Sequence, residues 1–148
     1  PRLKIKNTQS YGANVILYDR IKESREEIGE KLQKEKNLKL IRPYDDPFVI
    51  AGQGSLGIEL INQAKKMKLE SADVLVCCGG GGLASGISLA FQGLNKSFKV
   101  RTCEPENFDD MARSLKQKSR ITNKAMDGSI CDAILTPTPG KLTFDILE

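Results

Sequence analysis

A run of four glycines between an apolar stretch and a helical pattern is the feature that most constrains the fold. The sequence predicts a buried strand over Asp73 to Cys78, a turn over Gly79 to Gly82, and a helix over Leu83 to Leu94. A further strand is predicted over Phe98 to Cys103. Because a strand, a crossover helix and a second strand follow one another, we expect an α/β fold with a parallel sheet.

The other elements are predicted from apolar periodicity and from turn residues. They are strands over 13–18 and 38–42, and helices over 19–36, 47–67 and 107–115. Asp45 and Asp46 offer an N-cap for the long helix, and Pro47 suits its first position. Glycines within that helix are expected to allow a bend or a close contact between backbones. No closing element is predicted for residues 142–148.

The composition excludes several kinds of protein. The chain has no histidine, so it contains no imidazole zinc site and no Ser-His-Asp triad. The formal net charge of +4 is spread along the chain, and with three Tyr, five Phe and no Trp we expect no stacking platform for nucleic acid. No apolar run approaches the ~20 residues of a membrane span. We therefore predict a protein that binds neither nucleic acid nor membrane.

The cysteines are spaced in a way that suits neither a metal site nor a secreted disulfide framework. They are Cys77, Cys78, Cys103 and Cys131. A reducing, cytoplasmic location is the simpler expectation. The first two lie in the apolar stretch before the glycines, so both are predicted to be small buried residues.

The glycine run also predicts a binding site for an anion. It leaves several backbone N–H groups free of side chains at the start of a helix, where the helix dipole favours negative charge. The run lacks the Lys-Ser/Thr ending of a nucleotide phosphate loop and the spaced glycines of the dinucleotide fingerprint. A single phosphate group therefore fits better than a triphosphate. A tight turn that binds no ligand is the alternative interpretation.

Four segments of the chain resemble motifs of one enzyme family. They are PYDDPFVIAGQGSLGIEL (43–60), VCCGGGGLASG (76–86), EPENFDD (104–110) and ICDAILTPTPGKLTF (130–144). They occur in the same order as in threonine/serine dehydratases and serine racemase, the fold-type II pyridoxal phosphate enzymes. The resemblance implies a three-layer fold with a parallel sheet, similar to that of the tryptophan synthase β subunit.

The resemblance also implies that the chain is an internal fragment of such an enzyme. Residues 1–46 would be the remainder of the small domain, and residues 47–148 part of the large domain that binds the cofactor phosphate. In the family, the lysine that forms the Schiff base precedes the equivalent of Pro1, and the partner of the pyridine nitrogen follows the equivalent of Glu148. We therefore expect both ends to be cut and the fragment by itself to be inactive.

Several residues match the family's cofactor contacts. The phosphate cradle corresponds to Gly79, Gly80, Gly81, Gly82 and Leu83. Tyr44 matches the residue against one face of the cofactor ring, and Gly128 matches a backbone position beside the ring. For Tyr44 the alternative is an aromatic side chain wedged between two domains.

The resemblance further implies a divalent-cation site. Its ligands would be the carboxylates of Glu104 and Asp110 and the backbone carbonyl of Phe108, which suit Mg²⁺, Ca²⁺ or Mn²⁺. Without a metal, Asp109 and Asp110 would only complement a helix dipole, and Glu104 would be a strand-end acid.

Lys99 lies in a string that matches the family's catalytic Ser-Phe-Lys-x-Arg motif. This string, Ser97 to Arg101, follows the glycine run, whereas the family's lysine precedes it. Lys99 is therefore predicted to be a solvated strand residue, and no residue of this chain is assigned a catalytic role.

The function implied by the resemblance is elimination of water from a β-hydroxy amino acid, which gives a 2-oxo acid and ammonia. The partners would be pyridoxal phosphate, a small amino-acid substrate and a second subunit of a homodimer. Racemisation of serine is the nearest alternative, because it begins with the same carbanion. A phosphate-binding or regulatory module without catalysis is the other alternative.

Overall fold

The computed structural model describes residues 1–19, 22–125 and 127–148, and these form two compact units, Pro1–Leu40 and Ile41–Glu148. The elements are α1 (Arg2–Ser10), α2 (Arg25–Lys36), α3 (Pro47–Lys66), β1 (Ala72–Cys77), α4 (Gly82–Leu94), β2 (Phe98–Cys103), α5 (Asp110–Gln117) and α6 (Lys141–Leu147). In these described ranges no helix combines the length and the apolar character that crossing a membrane requires.

The first unit contains α1 and α2, with no strand among its described residues. The strand predicted over 13–18 is wrong, as is the one over 38–42, because a strand needs a hydrogen-bonded neighbour and the strands described pair only with each other. The helix predicted from Asp19 begins instead at Arg25, where the Ser24 side chain accepts a hydrogen bond from the Glu27 N–H. Residues 20 and 21 of that prediction lie outside the described ranges.

The second unit contains the predicted parallel sheet. β1 and β2 are parallel, and their register runs from Ala72 opposite Phe98 to Cys77 opposite Cys103. α4 connects the two strands and packs against both of them. The core of this unit includes Ile61, Ile87 and Phe91, each 1% exposed.

The long helix α3 packs closely on α4. A Cβ atom on Gly57 would lie 2.7 Å from the Ala90 Cβ atom, and one on Gly86 would lie 2.4 Å from the Ile50 carbonyl oxygen. Glycine is therefore required at these two positions, which confirms the predicted close contact of backbones for Gly57. The prediction was wrong for Gly52, because a Cβ atom there would meet nothing within 4 Å.

The two C-terminal helices differ from what the sequence predicts: α5 begins later than predicted, and α6 was not predicted. α5 begins at Asp110 rather than at Asn107, because the Glu104 carboxylate accepts hydrogen bonds from the Met111 and Ala112 N–H groups at that point. α6 forms a closing element where none was expected. Its start is capped by Asp45, which lies 96 residues before Lys141, so no local signal marks it.

The two adjacent cysteines at the end of β1 differ in burial. Cys78 is buried, with 1% of its surface exposed, whereas Cys77 is exposed. The prediction that both are buried was wrong for Cys77, because successive side chains of a strand point to opposite faces.

Candidate functional site

The centre of the candidate site is the turn between β1 and α4, Cys78 to Gly81, together with the first turn of α4. Within the described part of the chain, the backbone N–H groups of Gly79 to Leu83 donate no hydrogen bond. The Ser85 N–H is the first in this region that does so, to the Gly81 carbonyl at 2.9 Å. A row of uncommitted donors therefore stands at the N-terminus of a helix of 13 residues, where an anion is favoured.

The opposite side of the loop is fixed by the segment around the start of α6. The Gly80 carbonyl accepts hydrogen bonds from the Gly140 N–H, at 3.1 Å, and from the Thr143 hydroxyl, at 2.6 Å. The Ser85 hydroxyl in turn donates to the Thr143 carbonyl at 3.2 Å. Both Ser85 and Thr143 are fully buried, so these contacts hold the loop in one conformation without using its N–H groups.

Gly81 is the most constrained residue of the loop. Its φ of +97° lies in the left-handed region, which side chains other than glycine rarely adopt. A Cβ atom on Gly81 would also lie 2.7 Å from the Met111 Cε atom and 2.8 Å from the Thr143 Cβ atom.

Tyr44 lies directly against the loop. A Cβ atom on Gly80 would be 2.3 Å from the Tyr44 ring, and one on Gly82 would be 2.9 Å from the Tyr44 Cα atom. The absence of side chains at both glycines therefore makes room for Tyr44. The structure thus brings Tyr44 to the glycine run, while its contact with a cofactor ring stays a prediction.

Gly128, predicted to lie beside the cofactor ring, is exposed and has a φ of +102°. A Cβ atom on it would meet nothing within 4 Å. The side on which a side chain would stand is therefore open, and the role of Gly128 beside the cofactor ring stays a prediction.

The predicted cation ligands lie where β2 leads into α5. Asp110 is fully buried; its Oδ1 atom accepts a hydrogen bond from the Asn123 side chain at 2.7 Å, and its Oδ2 atom is buried without a hydrogen-bond partner. Phe108 is 2% exposed. Both oxygens of Glu104 accept N–H groups of α5, at 2.8 and 2.9 Å. The described residues contain no group of three or more His, Cys, Asp or Glu side chains arranged to hold a metal ion.

Burial raises the pKa of both carboxyl groups above the usual range. For Glu104 the hydrogen bonds from Ala112 and Met111 oppose this rise, and the charges of Asp110 and Asp109 add to it. For Asp110 the hydrogen bond from Asn123 and the charge of Arg113 oppose the rise in pKa. A bound cation would oppose the effect of burial on the pKa of both groups, because it favours their charged forms.

Lys99 lies at the wrong end of the sheet for a role at the loop. It is exposed and stands opposite Asp73 near the start of β1, whereas the glycine run follows the last residue of that strand. Four residues of strand separate these positions by about 13 Å.

Three residues of the site were not predicted as site residues. Asp45, Gly140 and Thr143 fix the glycine run or the helix start that contacts it. They act through contacts between residues far apart in sequence, which local patterns do not show. The one local signal is the short Pro-Gly turn before α6.

Comparisons with known proteins agree with this geometry. Residues 1–148 match the protein family described as pyridoxal-phosphate dependent enzyme. The chain is 39% identical over 148 residues to the L-threo-3-hydroxyaspartate ammonia-lyase of Saccharomyces cerevisiae, a match that covers 100% of this chain and 44% of the relative. It is 35% identical over 148 residues to the serine racemase of Schizosaccharomyces pombe, with the same coverage of 100% and 44%.

A solved structure is also similar. The threonine deaminase from T.th. superposes with a TM-score of 0.87 and 39% identity, over 97% of this chain and 46% of that one. The chain thus spans less than half the length of each of these three proteins. On the match of its whole length, the chain belongs to the family of pyridoxal-phosphate dependent enzymes, and its parallel α/β unit is part of a fold-type II domain.

Proposed function

We propose that this chain is the phosphate-binding part of a threonine/serine dehydratase, which eliminates water from a β-hydroxy amino acid and yields a 2-oxo acid and ammonia. The observation that carries the proposal is the row of uncommitted N–H groups from Gly79 to Leu83 at the start of α4. The similarity to an ammonia-lyase and to a threonine deaminase supports the choice of reaction.

The residues present fit the phosphate of the cofactor. Gly79, Gly80, Gly81, Gly82 and Leu83 would donate backbone hydrogen bonds to it, each worth about 1.5–3 kcal/mol to a charged acceptor. The donors are ordered before binding, because the Gly80 carbonyl is fixed by Gly140 and Thr143. Little ordering entropy is therefore lost on binding.

When bound, pyridoxal phosphate supplies an electron sink for negative charge that develops on the substrate α-carbon. This chain's residues would position it: the loop would fix the phosphate end, and Tyr44 would limit movement of the ring on one side, with the Gly128 backbone beside it. Holding one end of a planar group in this way restricts the orientation in which the substrate reacts.

Isothermal titration with inorganic phosphate tests the cradle. We expect weak, saturable binding by the natural sequence and none by Gly81→Ala, whose side chain would distort the loop. Gly93→Ala on α4 is the matched control, because a Cβ atom there meets nothing within 4 Å. Circular dichroism checks that both variants are folded. Equal binding by Gly81→Ala, or no binding by the natural sequence, would contradict the proposal.

The reaction is tested on the protein encoded by the whole open reading frame. With pyridoxal phosphate and L-threonine or L-serine, we expect formation of a 2-oxo acid, measured by reduction with a coupled dehydrogenase. Conversion of L-serine to D-serine without 2-oxo acid would instead identify a racemase, an alternative that the racemase relative supports. Phosphate binding without any turnover would identify a non-catalytic module and would contradict the dehydratase.

A second part of the proposal is a divalent-cation site formed by Glu104, Asp110 and the Phe108 carbonyl. The unpartnered Asp110 Oδ2 atom supports it, because a buried carboxylate oxygen without a partner is costly and a cation would satisfy it. Oxygen ligands of this kind suit Mg²⁺, Ca²⁺ or Mn²⁺.

Thermal unfolding with each of these cations tests the site. We expect the unfolding temperature of the natural sequence to rise with cation concentration. Asp110→Asn should abolish the rise, whereas Glu106→Gln, which changes an exposed acid nearby, should leave it intact. If the unfolding temperature of Asp110→Asn rises equally, Asp110 is not a ligand of the cation. If no cation raises the unfolding temperature of the natural sequence, the proposed cation site is wrong.

We further propose that the two units are parts of the small and the large domain of a cytoplasmic homodimer. The predicted domain boundary lies between residues 46 and 47, whereas the first compact unit ends at Leu40 and the second begins at Ile41. The four free cysteines are in keeping with a reducing location. Analytical ultracentrifugation of the protein encoded by the whole frame, and imaging of a tagged copy in cells, test assembly and location.

A further inference from the structure

The Thr143 side chain makes a contact that its own helix does not require. A threonine hydroxyl within a helix often donates its one proton to a carbonyl one turn earlier on the same helix. The Thr143 hydroxyl instead donates to the Gly80 carbonyl at 2.6 Å, 63 residues away along the chain. The Gly140 N–H donates to the same carbonyl at 3.1 Å. Two donors from one segment therefore fix the direction of the Gly80 carbonyl.

Thr143 is itself held in place by its backbone. Its N–H donates to the Asp45 Oδ1 atom at 3.4 Å, and its carbonyl accepts from the Ser85 hydroxyl at 3.2 Å. Thr143 is fully buried, and its γ-methyl group restricts the rotation of the side chain. The hydroxyl is therefore presented to Gly80 with little freedom, and its burial keeps water from competing for the contact.

The direction of the Gly80 carbonyl also decides where the Gly81 N–H points. The two groups belong to one planar, trans peptide unit and point in opposite directions. Because the Gly80 carbonyl is turned towards α6, the Gly81 N–H is turned away from α6, and it donates no hydrogen bond within the described ranges. The Thr143 hydroxyl thus acts on a donor that it does not touch.

The glycine run by itself does not select this orientation of the peptide. The φ of Gly81 is +97°, and rotating the peptide by half a turn would move that angle to the negative region that most residues prefer. Glycine adopts both regions about equally readily, so the reversed orientation is open to this loop. The choice between the two orientations therefore comes from the donors that hold the Gly80 carbonyl.

We propose that Thr143 is a positioning residue for the cofactor phosphate. Its hydroxyl selects the orientation of the Gly80–Gly81 peptide in which the Gly81 N–H donates to the phosphate. This inference rests on the proposed function, since it requires the phosphate to bind at the glycine run. Thr143 itself touches no part of the cofactor, because its hydroxyl lies on the opposite side of that peptide. Loss of the hydroxyl should therefore weaken the binding of the phosphate group specifically.

The protein encoded by the whole open reading frame tests this with two ligands, pyridoxal phosphate and pyridoxal, which differ only in the phosphate group. Thr143→Val keeps the shape of the side chain and removes the hydroxyl. By calorimetric titration, we expect this variant to bind pyridoxal phosphate about tenfold more weakly, the effect of losing one hydrogen bond to a charged group. It should bind pyridoxal as the natural protein does. Thr143→Ser, which keeps the hydroxyl, should restore the affinity for pyridoxal phosphate.

Thr136→Val is the matched control. The Thr136 hydroxyl is buried and has no hydrogen-bond partner in the part of the chain that is described, so the same substitution removes a hydroxyl that holds nothing. Both affinities should stay unchanged. Thr143→Ala places no methyl group against the Gly80 carbonyl and should show the same loss as Thr143→Val, which keeps the test available if the valine variant does not fold. Equal weakening of both ligands, weakening of neither, or a Thr143→Ser variant as weak as Thr143→Val would each overturn the proposal.

Crystal structures without cofactor separate this proposal from the proposed function. We expect the Gly80 carbonyl to be turned towards α6 in the natural protein and in Thr143→Ser, and to be reversed or in two orientations in Thr143→Val. An unchanged Gly80 carbonyl in Thr143→Val would overturn the role of Thr143, whether or not phosphate binds. If the natural protein binds pyridoxal phosphate no more tightly than pyridoxal, the proposed phosphate cradle is wrong, and with it the use of the Gly81 N–H.

Discussion

Gly81 is the residue of the glycine run at which a side chain would be least tolerated. Two features exclude a side chain there. The φ of Gly81 is +97°, and a Cβ atom on it would lie 2.7 Å from the Met111 Cε atom. We expect Gly81→Ala to lower the free energy of unfolding by about 2–4 kcal/mol, because positive φ and overpacking each cost about 1–3 kcal/mol. Urea unfolding measures this. Gly93→Ala, in an open position on the same helix, should be neutral or stabilising, and an equally stable Gly81→Ala would show that the loop can relax.

The carboxyl groups of Asp110 and Glu104 make stability depend on pH. Burial raises the pKa of each above its ordinary value, 3.8 for Asp110 and 4.5 for Glu104. The folded state then binds the proton more tightly than the unfolded state does, so this stabilisation is full below the ordinary pKa and is lost as pH rises through the raised pKa. In EDTA, we expect the free energy of unfolding to fall as pH rises from about 4 towards neutral.

Asp110→Asn identifies the source of this pH dependence. The variant keeps an oxygen for the bond from Asn123 and removes one titrating group, so its free energy of unfolding should fall less steeply with pH than that of the natural sequence. Glu106→Gln should follow the natural sequence. If all three curves coincide, Asp110 titrates as it does in the unfolded chain.

At the scale of elements, neighbouring aspartates begin two different helices. Asp46 caps α3, accepting from the Phe48 and Val49 N–H groups, whereas Asp45 accepts from the N–H groups of Lys141, Leu142 and Thr143. α6 in turn supplies the Thr143 hydroxyl that fixes the Gly80 carbonyl. Asp45 thereby links the start of the second unit to the glycine run.

Replacing each aspartate separately should give distinct local effects. We expect Asp45→Ala to cost about 0.5–2 kcal/mol and to speed amide hydrogen exchange in α6, because its first N–H groups lose their acceptor. Asp46→Ala should cost a similar amount and speed exchange at the start of α3 instead. Unchanged exchange in α6 for Asp45→Ala would mean that water or another group replaces the cap.

The elements that could be predicted from the sequence are those with local signals. β1, α4 and β2 are marked by apolar runs and the glycines, and β2 has the predicted bounds Phe98–Cys103. The glycine run itself was predicted as the centre of the site. By contrast, residues 13–18 are rich in strand-forming residues but have no neighbouring strand, and the caps of α6 and the contacts of Thr143 come from residues far away in the chain. Such contacts depend on tertiary structure, which a linear pattern does not contain.

At the scale of the whole molecule, burial is distributed unequally between the two units. The buried apolar residues run from Ile50 to Phe144, all in the second unit. In the first unit the structure describes residues 1–19 and 22–40, and none of these residues is buried. Because apolar burial is the main favourable contribution to folding, the stability of the chain should come from residues 41–148.

Removal of residues 1–40 tests this distribution. Since those residues contribute no buried side chain among the positions described, we expect the chain Ile41–Glu148 to unfold cooperatively, with a free energy of unfolding within about 1 kcal/mol of the full chain. Urea unfolding followed by circular dichroism measures this, and the m-value should fall only slightly, because little surface buried on folding has been removed.

Hydrogen exchange on the full chain is an independent check: amides of α1 and α2 should exchange much faster than those of α4 and β1. Loss of cooperative unfolding in the shortened chain, or equal protection of α1 and α4, would show that the first unit stabilises the second through contacts that burial of its own side chains does not reveal.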